Sequence, residues 1–161
     1  MHANGFRTLC KRYSAYFLAR NSERCICSKS QSLKVGDKET LTKTFTKEDV
    51  ETFAKISLDN NPLHTDPDFA KATKFGRCIV HGVLVHGLIS AVCATKLPGQ
   101  GSVYLSQEMK FVAPAFVNES VTAEVEVLEV RKSIMKCSTI AFRTEDKQVV
   151  MEGVARLMLP K

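Results

Sequence analysis

The stretch that decides the fold reads C-I-V-H-G-V-L-V-H-G-L-I-S-A-V-C-A-T (Cys78–Thr95) and carries no formal charge. About 18 apolar residues are the lower limit for a helix that spans a membrane. This stretch also contains two histidines, two glycines and a serine, so a helix buried inside a sheet protein explains it better. We predict a buried helix over His81–Lys96 that ends before Pro98-Gly99, and no membrane span.

After this helix the hydrophobic period changes to two. Apolar side chains alternate with threonine and glutamate over Val121–Val127, which is typical of a half-buried antiparallel strand. A turn is predicted at Asp146-Lys147. Three further segments are predicted as partner strands: Ser102–Val112, Ser133–Thr144 and Val149–Leu159.

Upstream of the helix, the pattern predicts a short strand over Thr40–Phe45. Thr46, with Asp49 three residues later, resembles a capping box, so a helix should follow over Lys47–Ser57. A proline-containing loop and a short helical piece near Asp68–Ala72 come next. One long apolar helix followed by several strands predicts an α+β fold, an antiparallel sheet wrapped round the helix.

The net charge of +6 lies entirely in residues 1–34, because residues 35–161 hold 16 basic and 16 acidic side chains. Residues 35–161 have no basic stripe interleaved with aromatics, so we expect no nucleic-acid partner. The first 34 residues contain one acid, Glu23, and an apolar stripe from Phe6 to Phe17. This composition is typical of a mitochondrial transit peptide. We therefore predict a leader over residues 1–34 that directs the protein to the mitochondrial matrix, and a domain over residues 35–161. The alternative, a disordered basic leader without a targeting signal, stays open.

Histidine and cysteine spacing does not favour a metal. His81 and His86 are five residues apart, unlike the two histidines of H-E-x-x-H. The domain holds three cysteines without a C-x-x-C pair, and we expect them to be small buried hydrophobes. We predict neither a metal nor a cofactor.

The densest polar cluster is D-N-N-P-L-H-T-D (Asp59–Asp66). Pro62 disfavours helical geometry at Asn61, so we expect a bent loop on which Asp59 and His64 converge. A carboxylate and an imidazole together form a general acid/base pair that can polarise one water. The alternative is that the cluster is only an Asx-turn at the end of a helix.

The start of the long helix offers hydrogen-bond donors. Gly82 falls in the first turn, where backbone N–H groups have no partner within the helix. Without a side chain there, a ligand oxygen can approach at the positive end of the helix dipole. His86 and Ser90 follow at spacings of four on the same face. The alternative for both Gly82 and Gly87 is close packing against the sheet.

These segments resemble a known family. S-L-D-N-N-P-L-H (Ser57–His64), D-P-D-F-A (Asp66–Ala70), F-G-R-C-I-V-H-G (Phe75–Gly82) and L-P-G-Q-G-S-V-Y-L (Leu97–Leu105) look like motifs of the MaoC-like (R)-specific enoyl-thioester hydratases. The resemblance covers about residues 37–160. It implies the hotdog fold, usually assembled as a homodimer.

The resemblance also implies roles for five residues. Asp59 and His64 would bind the catalytic water, and Asn61 would shape the loop. The Gly82 N–H would polarise the thioester carbonyl, and Ser90 matches a serine that supports the site. Leu58 departs from the pattern, because many members have glycine there.

The implied reaction is hydration of a trans-2-enoyl thioester, or the reverse dehydration of an (R)-3-hydroxyacyl thioester, in mitochondrial fatty-acid synthesis. The acyl group would be carried by coenzyme A or an acyl carrier protein. Two alternatives stay open: a non-catalytic acyl-thioester binding module and a thioesterase of the same fold.

Overall fold

The structure, a computed structural model, describes residues 32–160. These residues contain a five-stranded antiparallel sheet. Its strands are β1 (Lys38–Thr44), β2 (Val103–Phe111), β3 (Ser120–Arg131), β4 (Ile134–Arg143) and β5 (Val149–Met158). The spatial order is β1-β3-β4-β5-β2. All predicted strands are present, but β3 pairs directly with β1 and β4 only, whereas β2 pairs with β5. Most of the predicted leader, residues 1–31, lies outside the described residues.

The predicted long helix is α4 (Gly82–Thr95), with His81 and Lys96 as its flanking residues. It packs against β1, β3 and β4. Its buried side chains recur at helical spacing and face the sheet: Val85, Leu88, Ile89, Val92 and Cys93. The α+β arrangement of a sheet wrapped round this helix is confirmed. In the described part of the chain, no helix is long and apolar enough to cross a membrane.

Side-chain alternation along β3 fixes which face of the sheet meets α4. Val121, Ala123, Val125 and Val127 are fully buried, and a one-residue slip would turn all of them to the opposite face. Cys93 and Cys137 are buried in the same core, as predicted for small hydrophobes. The third cysteine, Cys78, is only half-buried.

Three short helices precede α4: α1 (Lys47–Ser57), α2 (Pro62–Thr65) and α3 (Pro67–Lys71). The predicted capping box of α1 is present, because Thr46 and Asp49 exchange side chain-to-backbone hydrogen bonds. The prediction of a plain loop before Asp68 is wrong. Pro62 and Pro67 each open a helix, since proline at the first helical position has a suitable φ and no N–H to satisfy.

Candidate active site

The position of Asp59 is set by the way α1 ends. Leu58 is the C-terminal cap of α1 and adopts the left-handed conformation, with φ 63° and ψ 10°. Glycine adopts this conformation without steric cost, whereas other L-residues rarely do so. Leu58 therefore adopts a backbone conformation that glycine would adopt more easily. The chain turns at Leu58 and brings Asp59 toward α2.

The Asp59 carboxylate has two separate contacts. Its Oδ1 accepts a hydrogen bond from the Asn61 N–H at 3.3 Å, which is an Asx-turn. Its Oδ2 lies 4.0 Å from Nε2 of His64. The Asx-turn that was the alternative interpretation of this polar cluster is thus present, and it holds the carboxylate beside the imidazole.

His64 lies in α2, and its ring is held from one side. Nδ1 donates a hydrogen bond to the Ile79 carbonyl oxygen at 2.8 Å, because a carbonyl can only accept. Nε2 is the nitrogen left to face Asp59. The His64 side chain is 10% exposed and that of Asp59 is 52% exposed. A water about 2.8 Å from both atoms would bridge the 4.0 Å gap, with its open side reachable from solvent.

Gly82 is the first residue of α4, and its N–H has no acceptor among the described residues. The aromatic ring of Phe111 lies against this glycine. A Cβ at position 82 would come within 2.4 Å of Phe111 Cε1, far inside carbon–carbon contact distance. The close approach of this ring therefore requires glycine here, in addition to the free N–H.

A cavity of about 430 Å³ connects His64 and Gly82, since both residues line it. This volume is within the usual range for small-molecule sites. Most of its wall is apolar, and Lys74 is the one formally charged side chain that lines it. The other lining residues include Phe75, Val85, Phe111, Pro114 and Met151. An acyl chain is the kind of group that such a wall binds, through burial of apolar surface.

The structure does not bring Asn61 and Ser90 into this cavity. Asn61 is the N-cap of α2, and its Oδ1 accepts from the Leu63 N–H at 3.1 Å. This bond fixes the start of the helix that carries His64. Ser90 lies eight residues along α4 from Gly82, about 12 Å at 1.5 Å per residue, and is partly buried.

His86 also lies away from the cavity. Its Nε2 is 3.5 Å from the Tyr104 hydroxyl, which donates to Gln107 Oε1 at 2.6 Å. The amide of Gln107 in turn donates to Thr139 Oγ1 at 3.1 Å. Burial lowers the pKa of His86, although a hydrogen bond with Gln107 partly opposes this. His86 is therefore part of a satisfied polar network in the interior.

His81 is the site residue that the sequence did not single out, beyond its place among possible metal ligands. Its ring stacks on that of His64: the ring centroids are 3.8 Å apart and the two ring planes are inclined by 27°. Ligand atoms of Asp59, His64 and His81 lie within 4.8 Å of one another, close enough for a metal ion. Imidazole lone pairs lie in the ring plane, however, so two nearly parallel stacked rings do not aim at one ion. The arrangement favours proton transfer, and the absence of a metal stays a prediction.

Solved structures place the fold. An (R)-hydratase from Aeromonas caviae matches with a TM-score of 0.78 at 45% identity, over 81% of this chain and 99% of that one. The protein af1124 from Archaeoglobus fulgidus matches with a TM-score of 0.75 at 30% identity, over 94% of both chains. The antiparallel sheet wrapped round α4 is the hotdog fold, as the resemblance implied.

A family model described as "MaoC like domain" matches residues 30–150. The chain belongs to this family. The (R)-specific enoyl-CoA hydratase of A. caviae is 46% identical over 133 residues, which are 81% of this chain and 98% of that protein. The mitochondrial 3-hydroxyacyl-[acyl-carrier-protein] dehydratase of Arabidopsis thaliana is 36% identical over 132 residues, 80% of this chain and 78% of that protein. The prediction of a hydro-lyase is confirmed at the level of the family.

Proposed function

We propose that this protein is a mitochondrial (R)-specific 3-hydroxyacyl-thioester dehydratase that also hydrates trans-2-enoyl thioesters. The observation that carries the proposal is the approach of His64 Nε2 to Asp59 Oδ2, 4.0 Å apart, beside an apolar cavity reached by the start of α4. Relatives that share most of this chain are named as hydratases or dehydratases of the same substrate class.

Hydration needs a nucleophilic water at C3 and a proton at C2. The water bound between Asp59 and His64 gives its proton to this pair as its oxygen bonds to C3. The C2–C3 double bond shifts toward the thioester, which takes up negative charge on its oxygen. A proton then passes from the pair to C2. Acid/base assistance of this kind contributes about 10²–10⁴-fold to the rate.

The charge that develops on the thioester oxygen needs a fixed donor. The Gly82 N–H has no other acceptor among the described residues and lies at the positive end of the α4 dipole. We assign it to this oxygen. Asn61 acts indirectly, because its cap orients the helix that carries His64. Ser90 is assigned a supporting role from further along α4. Dehydration is the same sequence in reverse, with the 3-hydroxyl leaving as water.

The acyl group is carried as a thioester of coenzyme A or of an acyl carrier protein, the two carriers in the names of the relatives above. The apolar wall of the cavity supports the acyl group as the part that it encloses. The reaction itself needs no redox cofactor, because hydration neither oxidises nor reduces the substrate overall.

The reaction class is tested with the purified full-length chain and trans-2-butenoyl-CoA. We expect the absorbance of the conjugated enoyl thioester to fall without release of free thiol, and the product to be the (R)-3-hydroxy isomer. Thiol release would instead identify a thioesterase. Binding of the thioester without turnover would identify a non-catalytic module, and either outcome would refute the proposed reaction.

We further propose that the protein is a homodimer joined along β2. This strand pairs only with β5 in the described residues, so its other edge is open. A long open edge is a template for pairing with another strand. Large apolar side chains on this strand are exposed: Val103, Leu105, Met109 and Phe111. Pairing with a second copy would cover both the edge and these side chains.

Light scattering after size-exclusion chromatography tests the dimer. Leu105→Lys places a charge at the open edge, and we expect it to shift the protein toward monomer. Leu128→Lys is the matched control, because Leu128 is also exposed but lies on β3, which is paired on both sides. A wild-type monomer at tens of micromolar, or equal effects of both substitutions, would refute this interface.

The mitochondrial location rests on the composition of residues 1–34 and on plant relatives named as mitochondrial. A fluorescent protein fused to the C-terminus of the full chain tests it in cells. We expect mitochondrial fluorescence that is lost when residues 1–34 are deleted. Cytosolic fluorescence of the full-length fusion would contradict the assignment.

A further inference from the structure

His81 directly precedes Gly82 and lies behind the two residues of the proposed acid/base pair. It is 2% exposed, one of the few buried polar side chains among the described residues. The roles implied by the family resemblance do not include it. Its contacts with both Asp59 and His64 raise the question of what it does for them.

One ring nitrogen of His81 is committed to Asp59. Nε2 lies 3.1 Å from the Asp59 carbonyl oxygen, and since a carbonyl only accepts, Nε2 carries the proton. This bond ties the backbone of Asp59 to the residue that caps α4. It therefore sets the distance between the Asp59 carboxylate and the N-terminus of α4, where the Gly82 N–H lies.

The other ring nitrogen is buried without a partner. Nδ1 of His81 has no hydrogen-bond partner among the described residues. A second proton there would be a buried donor without an acceptor, which costs free energy. Burial accordingly lowers the pKa of His81, with a smaller opposing effect from the bond to Asp59. The arrangement fits a neutral ring with its proton on Nε2.

The neutral state of His81 matters to His64, on which it stacks at 3.8 Å. The groups that face the His81 ring are Asp59, His64 and, edge-on at 5.1 Å, the ring of Phe53 from α1. Only Asp59 and His64 among these titrate. Because His64 must carry a proton during turnover, a second positive charge at 3.8 Å would oppose that step. A neutral ring supports His64 from one face without this repulsion.

We propose that His81 is a positioning residue for the Asp59–His64 pair: its Nε2–H fixes Asp59, and its stacked ring supports His64 from one face. The inference rests on the proposed hydratase function. It predicts that the hydrogen bond to Asp59, more than the ring itself, is needed for turnover.

Two substitutions in the full-length chain separate the bond from the ring. His81→Gln places an amide N–H near the position of Nε2 and removes the ring, whereas His81→Phe keeps a stacking ring and removes the donor. Displacing a reacting group by about 1 Å can cost about 10²-fold. We expect kcat to fall about 10- to 100-fold in His81→Phe with KM changed less than about threefold, and His81→Gln to retain most of the activity.

The pH dependence separates positioning from loss of folded protein. In His81→Phe the Asp59 backbone loses its hydrogen bond to His81 and the carboxylate is held less firmly beside His64, so the acidic limb of the pH profile of kcat/KM should move. A smaller folded fraction would lower kcat/KM at every pH and leave the limb in place. An unmoved limb, or equal loss of kcat in both variants, would overturn the proposal.

A measurement on the wild type does not depend on how the variants fold. Ring-¹⁵N spectra of the full-length chain should show His81 with a proton on Nε2 only, unchanged from pH 7.5 to 5.5. Uptake of a second proton in this range would overturn the neutral role. Failure of the wild type to hydrate any enoyl thioester would refute the proposed function instead, so the two failures are distinguishable.

Discussion

Substituting Gly82 by alanine tests the donor assigned to the thioester oxygen. The new Cβ would lie 2.4, 2.8 and 3.0 Å from three ring carbons of Phe111. Carbon–carbon contacts are favourable only from about 3.5 Å, so the ring has to move by about 1 Å. Phe111 is 58% exposed in the single chain and does not belong to the buried core, so its ring can shift without disturbing the packing of the sheet on α4, and we expect the fold to survive.

Activity, in contrast, should fall steeply. The methyl group stands next to the Gly82 N–H, and Gly82 and Phe111 both line the cavity, so the methyl group and the displaced ring should restrict access of the thioester oxygen to this donor. Removal of one preorganised oxyanion donor costs about 10²–10³-fold in kcat, or about 2.7–4 kcal/mol. In steady-state hydration of trans-2-butenoyl-CoA, kcat of Gly82→Ala should fall by this factor. The free energy of unfolding, measured in urea, should change by less than about 1 kcal/mol.

Gly87→Ala is the matched control on the same helix. A Cβ at position 87 meets nothing within 4 Å, so the substitution should leave kcat unchanged and stabilise α4 by about 0.5–1 kcal/mol. The double substitution Gly82→Ala with Phe111→Ala removes the clash but keeps the methyl group, and we expect it to stay inactive. A Gly82→Ala enzyme within threefold of wild type, or full rescue by Phe111→Ala, would refute the oxyanion role.

Two further predictions concern stability. The left-handed conformation of Leu58 costs about 1–2 kcal/mol, and Leu58→Gly removes this strain. Scanning calorimetry should therefore show Tm raised by a few degrees. An unchanged or lowered Tm would contradict strain at this cap. Burial lowers the pKa of His81 and of His86 in the folded protein. As the pH falls, these two side chains therefore take up a proton in the unfolded chain, near the ordinary histidine pKa of about 6.5, before they do so in the folded protein. The free energy of unfolding from urea titrations should therefore decrease below about pH 6.5, by at most about 1.4 kcal/mol per pH unit for each histidine, and a flat profile down to pH 5 would count against buried neutral rings.

Periodicity was enough to predict the strands and the long helix of this fold, but not the short helix α2. The alternation over Val121–Val127 identifies a strand with one buried face, and the uncharged stretch after Cys78 identifies the helix that this face covers. Strand order was not predictable in the same way. That β2 pairs with β5 at the far side of the sheet depends on long-range contacts, which leave no mark in the local pattern of either strand.

The site was predictable to the extent that its chemistry lies in neighbouring residues. The cluster around Asp59 and His64 stands out because Pro62 bends the chain between a carboxylate and an imidazole. His81 was not found, since nothing in its sequence neighbourhood shows that it stacks on a ring seventeen residues away. Phe111 was not found either, because its contact with Gly82 arises only when β2 passes the start of α4.

The most direct test of the central claim is the hydration rate of trans-2-butenoyl-CoA with Asp59→Asn and His64→Asn, compared with wild type. Asp59→Asn preserves size, and His64→Asn keeps an N–H near the position of Nδ1 that can donate to the Ile79 carbonyl oxygen, so circular dichroism should be unchanged. We expect each variant to lose at least about 10²-fold in kcat, because each removes one side of the pair that activates water. Full activity in either variant would contradict the assignment of this pair as the catalytic acid and base.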